Sequence, residues 1–402
     1  MNPPPQARKV LMLTQYLHMG GLERMVFNLS TELKAQGRWE ARIFVFDRLP
    51  DAGPDNDLTP SFVAAGIAVD SFIKSPGFSL GAVLAIRRIL TAENISVVHT
   101  HDLGALIYGV LAKLTCSTRV RLVHTQHSFV HLSRRWIYQY YERLFVRFAD
   151  VLTVVSEDAR LAYTSLGIDY DAIHLVPNGA RFADGAAPRT SDRMGLRKQL
   201  LNSLTPLSQA ALEPFAQSQW ILYMARLHPI KGQDHALRLW EQLPRLTRSR
   251  CVLLFVGPES EAGRLRHLQT AIAASADRER ILYLGATHCP ELWLASSELA
   301  LSCSEFEGMP LGPIEAAGAG LPLVLSEIPG HEILRAWSEQ YPLNDPARGA
   351  RIVDGILKRI ADGPAEFSQD SWRKAAEIRS RYSLSKMSAT YSGFYDQEIR
   401  TR

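Results

Sequence analysis

The sequence predicts an α/β protein built from two doubly wound parallel sheets, each in its own domain. Three observations lead to this prediction. The chain has 402 residues, more than one ordinary hydrophobic core accommodates. Short apolar, β-branched runs alternate with helical stretches along its length, as in parallel strands that are buried on both faces. A stretch without such runs, 179–218, separates two groups of strands, and we predict the interdomain linker there.

The predicted strands are continuous apolar runs, and each is followed by a helical stretch. In the first domain they span 9–14, 41–46, 97–100, 120–125, 151–155 and 173–176. In the second domain they span 220–224, 251–256, 281–284, 299–302 and 323–325. A helical piece is expected at 193–204, and a final helix at 383–399 carries apolar and aromatic residues at helical spacing.

Composition is that of a soluble globular enzyme, and the cysteine content suits the cytoplasm. The hydrophobic fraction is 46% and the charged fraction 21%. A net charge of +4 gives no support to nucleic-acid binding. No apolar run reaches the roughly 18 residues that a membrane span needs, and the first eight residues are unlike a signal peptide. The four cysteines contain no Cys-x-x-Cys pair, which predicts buried, reduced thiols.

Two carboxylates in the second domain are the main ligand-binding candidates. Glu307 follows the strand at 299–302, and Glu315 lies eight positions later in the next helix. In parallel α/β sheets, ligands bind at the carboxyl ends of the strands. Helix N-termini there offer N–H groups to anions, whereas carboxylates accept hydrogen bonds from hydroxyl groups. We therefore predict a ligand that carries both phosphates and hydroxyls, such as a sugar nucleotide.

Further candidates lie where other predicted strands end. Arg226 and Lys231 follow the first strand of the second domain and are spaced to face a diphosphate; the alternative is two solvated surface cations. Gly20 and Gly21 separate the first strand from the first helix, where a backbone can approach phosphate closely, although a Gly-Gly turn alone is a weak signal. His127 ends a strand and is either a ligand contact or a structural histidine.

Metal-like patterns are present, but we expect no metal site. The His-Thr-His-Asp run at 99–102 lacks identifiable further ligands. The Asp-x-Asp pairs at 55–57 and 169–171 resemble those that hold divalent ions in some sugar transferases. Both fit solvated turn residues better.

A basic, aromatic helix is predicted at 133–148. Such a helix either lies on an anionic bilayer or packs its aromatic residues on the sheet with its arginines in water. We favour packing on the sheet. Peripheral membrane contact through Arg134, Arg135, Trp136 and Arg143 stays a hypothesis.

Taken in order, these motifs resemble the family 4 glycosyltransferases of GT-B fold, over residues 9–395. The most specific piece is the Glu-x7-Glu motif, Glu307 and Glu315, with Gly308, Met309, Pro310 and Leu311 between them. The other matching pieces are Gly20-Gly21-Leu22-Glu23-Arg24, His127, Val155-Ser156, Pro177-Asn178-Gly179, Arg226-Leu227 and Lys231-Gly232.

The resemblance implies two Rossmann-like domains that face a central cleft. Residues 1–185 would bind the acceptor and residues 186–382 the nucleotide sugar, and the helix in 383–402 would pack back on the N-terminal domain. Two stretches depart from the family pattern. Residues 180–218 match no recognisable family pattern. The loop 341–347 lacks the glycines that usually precede it in the family, so the residues that bind the nucleotide base are harder to assign in this chain.

The resemblance also implies a role for each matching residue. Glu315 would bind the ribose hydroxyls. Glu307 would bind the donor sugar, assisted by backbone around Gly308, Met309, Pro310 and Leu311. Arg226 and Lys231 would bind the diphosphate, Gly20 and Gly21 would close on it, and His127 would touch the sugar near its reacting carbon. The implied catalytic set is His127, Arg226, Lys231 and Glu307.

The implied activity is retaining, metal-independent transfer from a nucleotide-diphosphate sugar, with uridine favoured over guanosine as the base. The acceptor would be a saccharide or lipid-linked saccharide, in cell-envelope or exopolysaccharide biosynthesis, and the protein cytoplasmic with peripheral membrane contact. A nucleotide-sugar 2-epimerase of GT-B fold and a non-catalytic nucleotide-sugar-binding protein are the alternatives.

Overall fold

The computed structural model describes residues 7–18, 20–47, 57–127, 135–182 and 193–397, without the side chains of 364–369 and 372. The chain divides into one unit formed by Met1–Gly179 with Tyr382–Arg402 and a second formed by Ala180–Arg381; the sequence had placed these boundaries at 185/186 and 382/383. Each unit contains one sheet whose strands pair in parallel. The predicted α/β fold class is confirmed.

The first unit has a seven-stranded sheet in the order β3-β2-β1-β4-β5-β6-β7. Its strands are β1 (Arg8–Thr14), β2 (Trp39–Val45), β3 (Ala68–Ser71), β4 (Val97–His101), β5 (Arg121–Gln126), β6 (Val151–Val154) and β7 (Ile173–Leu175). Its helices are α1 (Gly21–Gln36), α2 (Thr59–Ala64), α3 (Leu80–Ala92), α4 (Asp102–Thr115), α5 (Trp136–Phe145) and α6 (Glu157–Ser165). Short 3-10 turns span Val146–Phe148 and Tyr170–Ala172.

The second unit has a six-stranded sheet in the order β10-β9-β8-β11-β12-β13. Its strands are β8 (Gln219–Met224), β9 (Cys251–Val256), β10 (Ile281–Tyr283), β11 (Leu299–Ser302), β12 (Leu323–Ser326) and β13 (Ser338–Tyr341). Its helices are α7 (Arg193–Ser203), α8 (Pro206–Leu212), α9 (Gln233–Gln242), α10 (Arg245–Arg248), α11 (Arg264–Ala274), α12 (Pro290–Ser296), α13 (Leu311–Gly318), α14 (Pro346–Asp362) and α15 (Pro364–Arg381). Its 3-10 turns are Glu213–Phe215, Pro229–Lys231, Arg278–Arg280 and Pro329–Trp337.

The last helix, α16 (Leu384–Asp396), returns to the first unit. Its buried Tyr391 and Tyr395 join the core that α1 forms on one face of the sheet. The Tyr395 hydroxyl lies 2.7 Å from His99 Nδ1 in β4. The helix is therefore held by buried aromatic packing and a buried hydrogen bond, as the resemblance implies.

Two edge strands, β3 and β13, were not predicted. Their sequences, AVDS and SEQY, contain polar residues, and neither has the apolar run of the central strands. Each lies at one end of its sheet, where one side of the strand has no partner strand among the described residues. Strand prediction from continuous apolar runs therefore found the central strands and the edge strands β7 and β10, and missed these two polar edges.

The prediction of a linker over 179–218 is wrong for its second half. Helices α7 and α8 belong to the second unit. The buried Arg197 of α7 donates to Glu298 (Nη2–Oε2, 2.7 Å), and its guanidinium lies 4.2 Å from the Trp220 ring centroid. The buried Leu200, Leu201 and Leu212 anchor the segment together with this polar contact. Residues 183–192 lie outside the described part.

The prediction that the aromatic residues of α5 pack on the sheet is wrong for several of them. Trp136 is 76% exposed and Tyr140 56% exposed, and the buried residue of α5 is a carboxylate, Glu142. Ser133 and Arg134 lie outside the described residues. Of the helices that the structure describes, none is long and apolar enough to cross a membrane.

The four cysteines are free thiols. Cys251 and Cys303 are buried as predicted, whereas Cys116 and Cys289 are partly exposed. Burial raises the pKa of both Cys251 and Cys303 to about 12, so these two thiols stay protonated and unreactive.

Candidate functional site

The loops that follow β8 and β11 meet at Gly232. Its φ is +69°, in the left-handed region that side chains disfavour. A Cβ at this position would come within 2.0 Å of the Cys303 carbonyl oxygen. The loop after β8 therefore requires glycine here, and this close approach brings the 3-10 turn Pro229–Lys231 beside the loop that carries Glu307.

Lys231 and Glu307 form an ion pair at this point. The Lys231 ammonium donates to both carboxylate oxygens of Glu307 at 2.7 Å. The Ser304 hydroxyl also donates to Glu307 Oε1 at 2.7 Å. The side chains of Lys231 and Glu307 are 19% and 10% exposed, so the pair is largely shielded while still reachable from solvent.

The backbone under the pair is held by a buried tyrosine. The Tyr223 hydroxyl donates to the Lys231 carbonyl and accepts from the Cys303 N–H at 3.0 Å. Tyr223 lies in β8, and Cys303 directly follows β11. One hydroxyl thus joins the two loops that carry the charges.

A third loop supports the Glu307 segment from the end of β12. A Cβ at Gly330 would come within 2.1 Å of the Glu307 carbonyl oxygen. The Ser326 hydroxyl donates to the Ser304 carbonyl at 2.6 Å, and Ser326 O lies 2.8 Å from Nδ1 of the buried His331. Burial is the main cause that lowers the pKa of His331, so its neutral Nδ1–H donates to this carbonyl.

The two glutamates occupy the local structures that the sequence predicts. Glu307 lies in the loop, and Glu315 is buried within α13. The backbone donors expected around Met309–Leu311 need correction: Pro310 has no N–H, and the Leu311 N–H points to the Met309 carbonyl at 3.0 Å. Pro310 is the N-cap residue of α13.

Helix α13 begins against the end of β8. A Cβ at Gly312 would lie 3.3 Å from the Met224 carbonyl oxygen. Beside this contact is a mainly apolar pocket. Its lining includes Tyr223, Met224, Ser302, Gly312, Pro313 and Leu325.

Arg226 is exposed, but its backbone is fixed. The buried Gln233 donates from its side-chain amide to the Arg226 carbonyl at 2.9 Å. The loop is therefore held in place while the guanidinium faces solvent. The structure thus brings Lys231 and Glu307 into direct contact. It places Arg226 on the same connection as Lys231, and Glu315 in the helix that follows the Glu307 loop.

The first-unit candidates are held differently. His127 directly follows β5 and is 8% exposed. Its Nε2 lies 3.1 Å from His101 Nδ1, and its backbone N–H donates to Asp102 Oδ1 at 2.9 Å. Burial lowers the pKa of His127 to about 3, so the ring is neutral near pH 7.

The predicted glycine turn precedes α1. Gly20 is the N-cap of this helix, and a Cβ there would lie 2.4 Å from the Glu23 carboxylate. A Cβ at Gly21 would meet nothing within 4 Å among the described residues. A side chain at position 20 would therefore have to displace the flexible Glu23 side chain, whereas position 21 has open space around it.

The metal-like patterns have structural roles. His99 contacts Tyr395 and Thr125 through its two ring nitrogens. Asp57 accepts from the Thr59 N–H, and Asp169 caps the turn at Asp171. Asp55 and Asn56 lie outside the described residues. Within the described part of the chain, no group of three or more His, Cys, Asp or Glu residues is arranged to hold a metal ion.

Several residues of these sites carry no recognisable signal in the sequence. Tyr223, Ser304, Ser326, His331 and Gly330 act through contacts with distant segments, and a single sequence does not record such contacts. His101 and Asp102 were noticed only as part of a metal-like run, not as partners of His127.

Two family models match the chain. The model described as Glycosyltransferase Family 4 matches residues 19–182, and the model described as Glycosyl transferases group 1 matches residues 218–362. The chain belongs to glycosyltransferase family 4. It is a glycosyltransferase, and its two Rossmann-like domains form the GT-B fold.

Relatives of this glycosyltransferase include a Bacillus subtilis (strain 168) protein named as glycosyltransferase EpsF, 24% identical over 80% of this chain and 79% of that protein. A UDP-Gal:alpha-D-GlcNAc-diphosphoundecaprenol alpha-1,3-galactosyltransferase of Escherichia coli is 24% identical over 63% of each chain. Among solved structures, Anabaena HepE in complex with UDP and glucose has 19% identity and a TM-score of 0.76, covering 96% of this chain and 99% of that one. At this identity the structural likeness shows the shared fold.

Proposed function

We propose that this glycosyltransferase transfers a sugar from a UDP-sugar donor to a saccharide or lipid-linked saccharide. We propose that the transfer retains the anomeric configuration and needs no metal ion. The E. coli relative is named for UDP-galactose and a diphosphoundecaprenol-linked acceptor. HepE, which shares the fold, was solved with UDP and glucose. A role in cell-envelope or exopolysaccharide biosynthesis follows from such an acceptor.

The observation that carries the proposal is the Lys231–Glu307 pair. A carboxylate offers about four lone-pair positions. Lys231 and Ser304 use three of them, two on Oε1 and one on Oε2. Among the described residues this leaves one position on Oε2, which can accept a hydrogen bond from a donor-sugar hydroxyl while Lys231 stays beside the sugar's diphosphate.

Departure of the diphosphate is the step that this pair assists. As the bond from the sugar carbon to the phosphate oxygen breaks, negative charge grows on that oxygen. Lys231 stabilises it, because a fixed charge in a partly shielded site needs little reorganisation, and the solvent-facing Arg226 adds a second positive charge. Glu315, buried in α13, is the proposed ribose contact.

Retention is proposed from the family resemblance, and the lack of an available nucleophile among the assigned groups argues against a route through a covalent enzyme intermediate. Glu307 is bound by Lys231 and Ser304, and His127 is proposed to contact the sugar as a neutral ring. The acceptor oxygen therefore forms its bond on the face that the diphosphate leaves. Its proton passes to the departing phosphate oxygen, which balances the reaction without a covalent enzyme intermediate.

The first test is a thermal-shift panel of UDP, GDP, ADP and their sugars. A ligand at one hundred times its dissociation constant stabilises the folded protein by about 2.7 kcal/mol. We expect uridine diphosphates to raise the Tm most, followed by sugar transfer from the best-binding donor. A selective response to GDP-sugars would replace the proposed donor, and epimerised donor formed without acceptor would replace the proposed reaction.

We also propose peripheral contact with an anionic membrane through α5. Trp136, Tyr140 and Tyr141 are 76%, 56% and 41% exposed, and Arg135 and Arg143 flank them. Aromatic and basic residues together suit the interface of an anionic bilayer. Trp136→Ser should reduce co-sedimentation with phosphatidylglycerol vesicles at low salt. Leu207→Ser, at an 83% exposed position of α8, is the control, and equal binding of both variants contradicts the proposal.

A further inference from the structure

Strands β4 and β5 place four buried histidines together in the first unit. His99, His101, His124 and His127 are between 0% and 8% exposed. His99 and His124 use both ring nitrogens in contacts with groups other than histidine: His99 with Tyr395 and Thr125, and His124 with Thr100 and Glu142. His101 and His127 instead contact each other, so the position of a proton on one ring depends on the other.

The His101–His127 contact requires one proton between the two rings. Its 3.1 Å separation joins His101 Nδ1 to His127 Nε2. Burial lowers the pKa of His127 to about 3 and that of His101 well below its ordinary value. Both rings are therefore neutral, and each carries a single N–H. Either both protons lie on Nε2 or both lie on Nδ1.

The arrangement with both protons on Nε2 is favoured. A neutral histidine side chain intrinsically prefers the Nε2–H tautomer, and this arrangement gives that form to both rings. His127 Nε2–H then donates to His101 Nδ1, and His127 Nδ1 retains its lone pair. Within the described part of the chain, neither Nδ1 of His127 nor the Nε2–H of His101 has a hydrogen-bond partner. A buried acceptor of this kind needs a donor.

The residue after His101 fixes the backbone of His127. Asp102 has a φ of +63°, an uncommon conformation for a residue other than glycine. Its carboxylate accepts the His127 backbone N–H at 2.9 Å. Two consecutive residues, the last of β4 and the first of α4, thus hold both the ring and the backbone of His127.

We propose that His101 is a positioning residue for sugar transfer: it accepts the Nε2–H of His127 and so leaves Nδ1 to accept a hydrogen bond from a hydroxyl of the transferred sugar. The role of His127 in this inference rests on the proposed function. Its tautomer does not, because the tautomer is a property of the protein itself.

The tautomer is measured by ¹⁵N NMR on the full chain with labelled histidines. In the wild type, His127 should show a protonated Nε2 and an unprotonated Nδ1. His101→Leu removes the acceptor, so the His127 signals should shift towards a mixture of tautomers. In His101→Asn the amide oxygen can replace Nδ1 as acceptor and should restore the wild-type pattern. His99→Leu is the matched control, since it removes an equally buried histidine from the same strand.

Transfer assays provide the second readout. We expect His101→Leu to lower kcat roughly tenfold to a hundredfold, by analogy with the loss of a partner that orients a metal-bound histidine. KM should change little, and His101→Asn should recover most of the loss. The His99→Leu control should lose stability without altering the His127 signals.

Two outcomes overturn the inference. One is a wild-type His127 protonated on Nδ1, a result that needs no variant to fold. The other is an unchanged His127 pattern in His101→Leu. If the tautomer behaves as expected but no donor is turned over, the positioning by His101 stands and the proposed function fails.

Discussion

The two units hold their candidate residues at the ends of parallel strands, but in opposite electrostatic states. In the second unit, Lys231 and Glu307 form a charged pair that remains partly accessible. In the first unit, His101 and His127 are buried and neutral. Similar sheets thus support a charged surface suited to a diphosphate and a neutral one suited to hydroxyl groups. The difference comes from burial, because desolvation lowers the pKa of a buried histidine and leaves its ring neutral.

The largest expected effect is the loss of the second-unit charge. Lys231→Ala should lower kcat/KM roughly 100- to 1,000-fold, about 3–4 kcal/mol, on the scale of a lost transition-state donor. The physical reason is that the departing diphosphate loses a fixed cation. Lys358→Ala, which removes an exposed lysine paired with Asp354, is the control in steady-state assays. Turnover of Lys231→Ala at the wild-type level with any accepted donor contradicts the diphosphate role.

The next effect tests the geometry that creates the charged pair. Gly232→Ala should lower the free energy of unfolding by about 3 kcal/mol, because it combines a left-handed φ with a clash against the Cys303 carbonyl. Gly355→Ala in α14 has no neighbouring atom within 4 Å among the described residues and should be neutral or stabilising by up to about 1 kcal/mol. Denaturant titrations measure both. Equal stability of the two variants would contradict the conclusion that position 232 requires glycine.

The neutral first unit predicts an unusual pH dependence. Burial raises the pKa of Asp102 to about 6, above that of an unfolded aspartate, so the folded state binds the proton more tightly. The free energy of unfolding should therefore fall by at most roughly 3 kcal/mol as pH rises from about 4 to 6. Above about pH 6 it should level off. Asp102→Asn keeps an oxygen acceptor for the His127 N–H but has no carboxyl group to titrate. Its free energy of unfolding should therefore not show this decrease.

Urea titrations of the wild type and Asp102→Asn at several pH values measure that difference. The exposed Asp362, changed to Asn, controls for the loss of one carboxylate. The Asp102→Asn variant should gain stability relative to the wild type as pH rises through 6. A constant difference between the two proteins across the window contradicts the buried, protonatable state of Asp102.

The smallest expected effect comes from the hydroxyl that joins the two charged loops. Tyr223→Phe removes the acceptor of the Cys303 N–H and the donor to the Lys231 carbonyl. It should cost about 1 kcal/mol of stability and raise KM for the donor a few-fold, because the Lys231 backbone is less fixed. Tyr283→Phe, which removes a hydroxyl bonded to the Gly257 carbonyl, should change stability without changing KM. An equal change in KM for both variants removes the specific role of Tyr223.

The aromatic helix shows where reasoning from pattern failed. The spacing of Trp136, Tyr140 and Tyr141 identifies an amphipathic helix, and α5 is one. An amphipathic pattern shows which side chains share a face, but not whether the fold covers that face. The buried side chain is Glu142, which is held by His124 and Tyr163. Those partners lie on β5 and α6, and no local pattern reveals them.

The sequence by itself determined the two-sheet architecture, because covered parallel strands must be continuous apolar runs and such runs are visible locally. It also selected Lys231, Glu307, Glu315 and His127, since ligand-binding groups in this architecture follow the strand ends. Only the tertiary structure decided that Lys231 pairs with Glu307 and His101 with His127. Hydrogen bonds require donor–acceptor distances that are correct to within a few tenths of an ångström. Between segments far apart in the chain, residue order does not specify those distances.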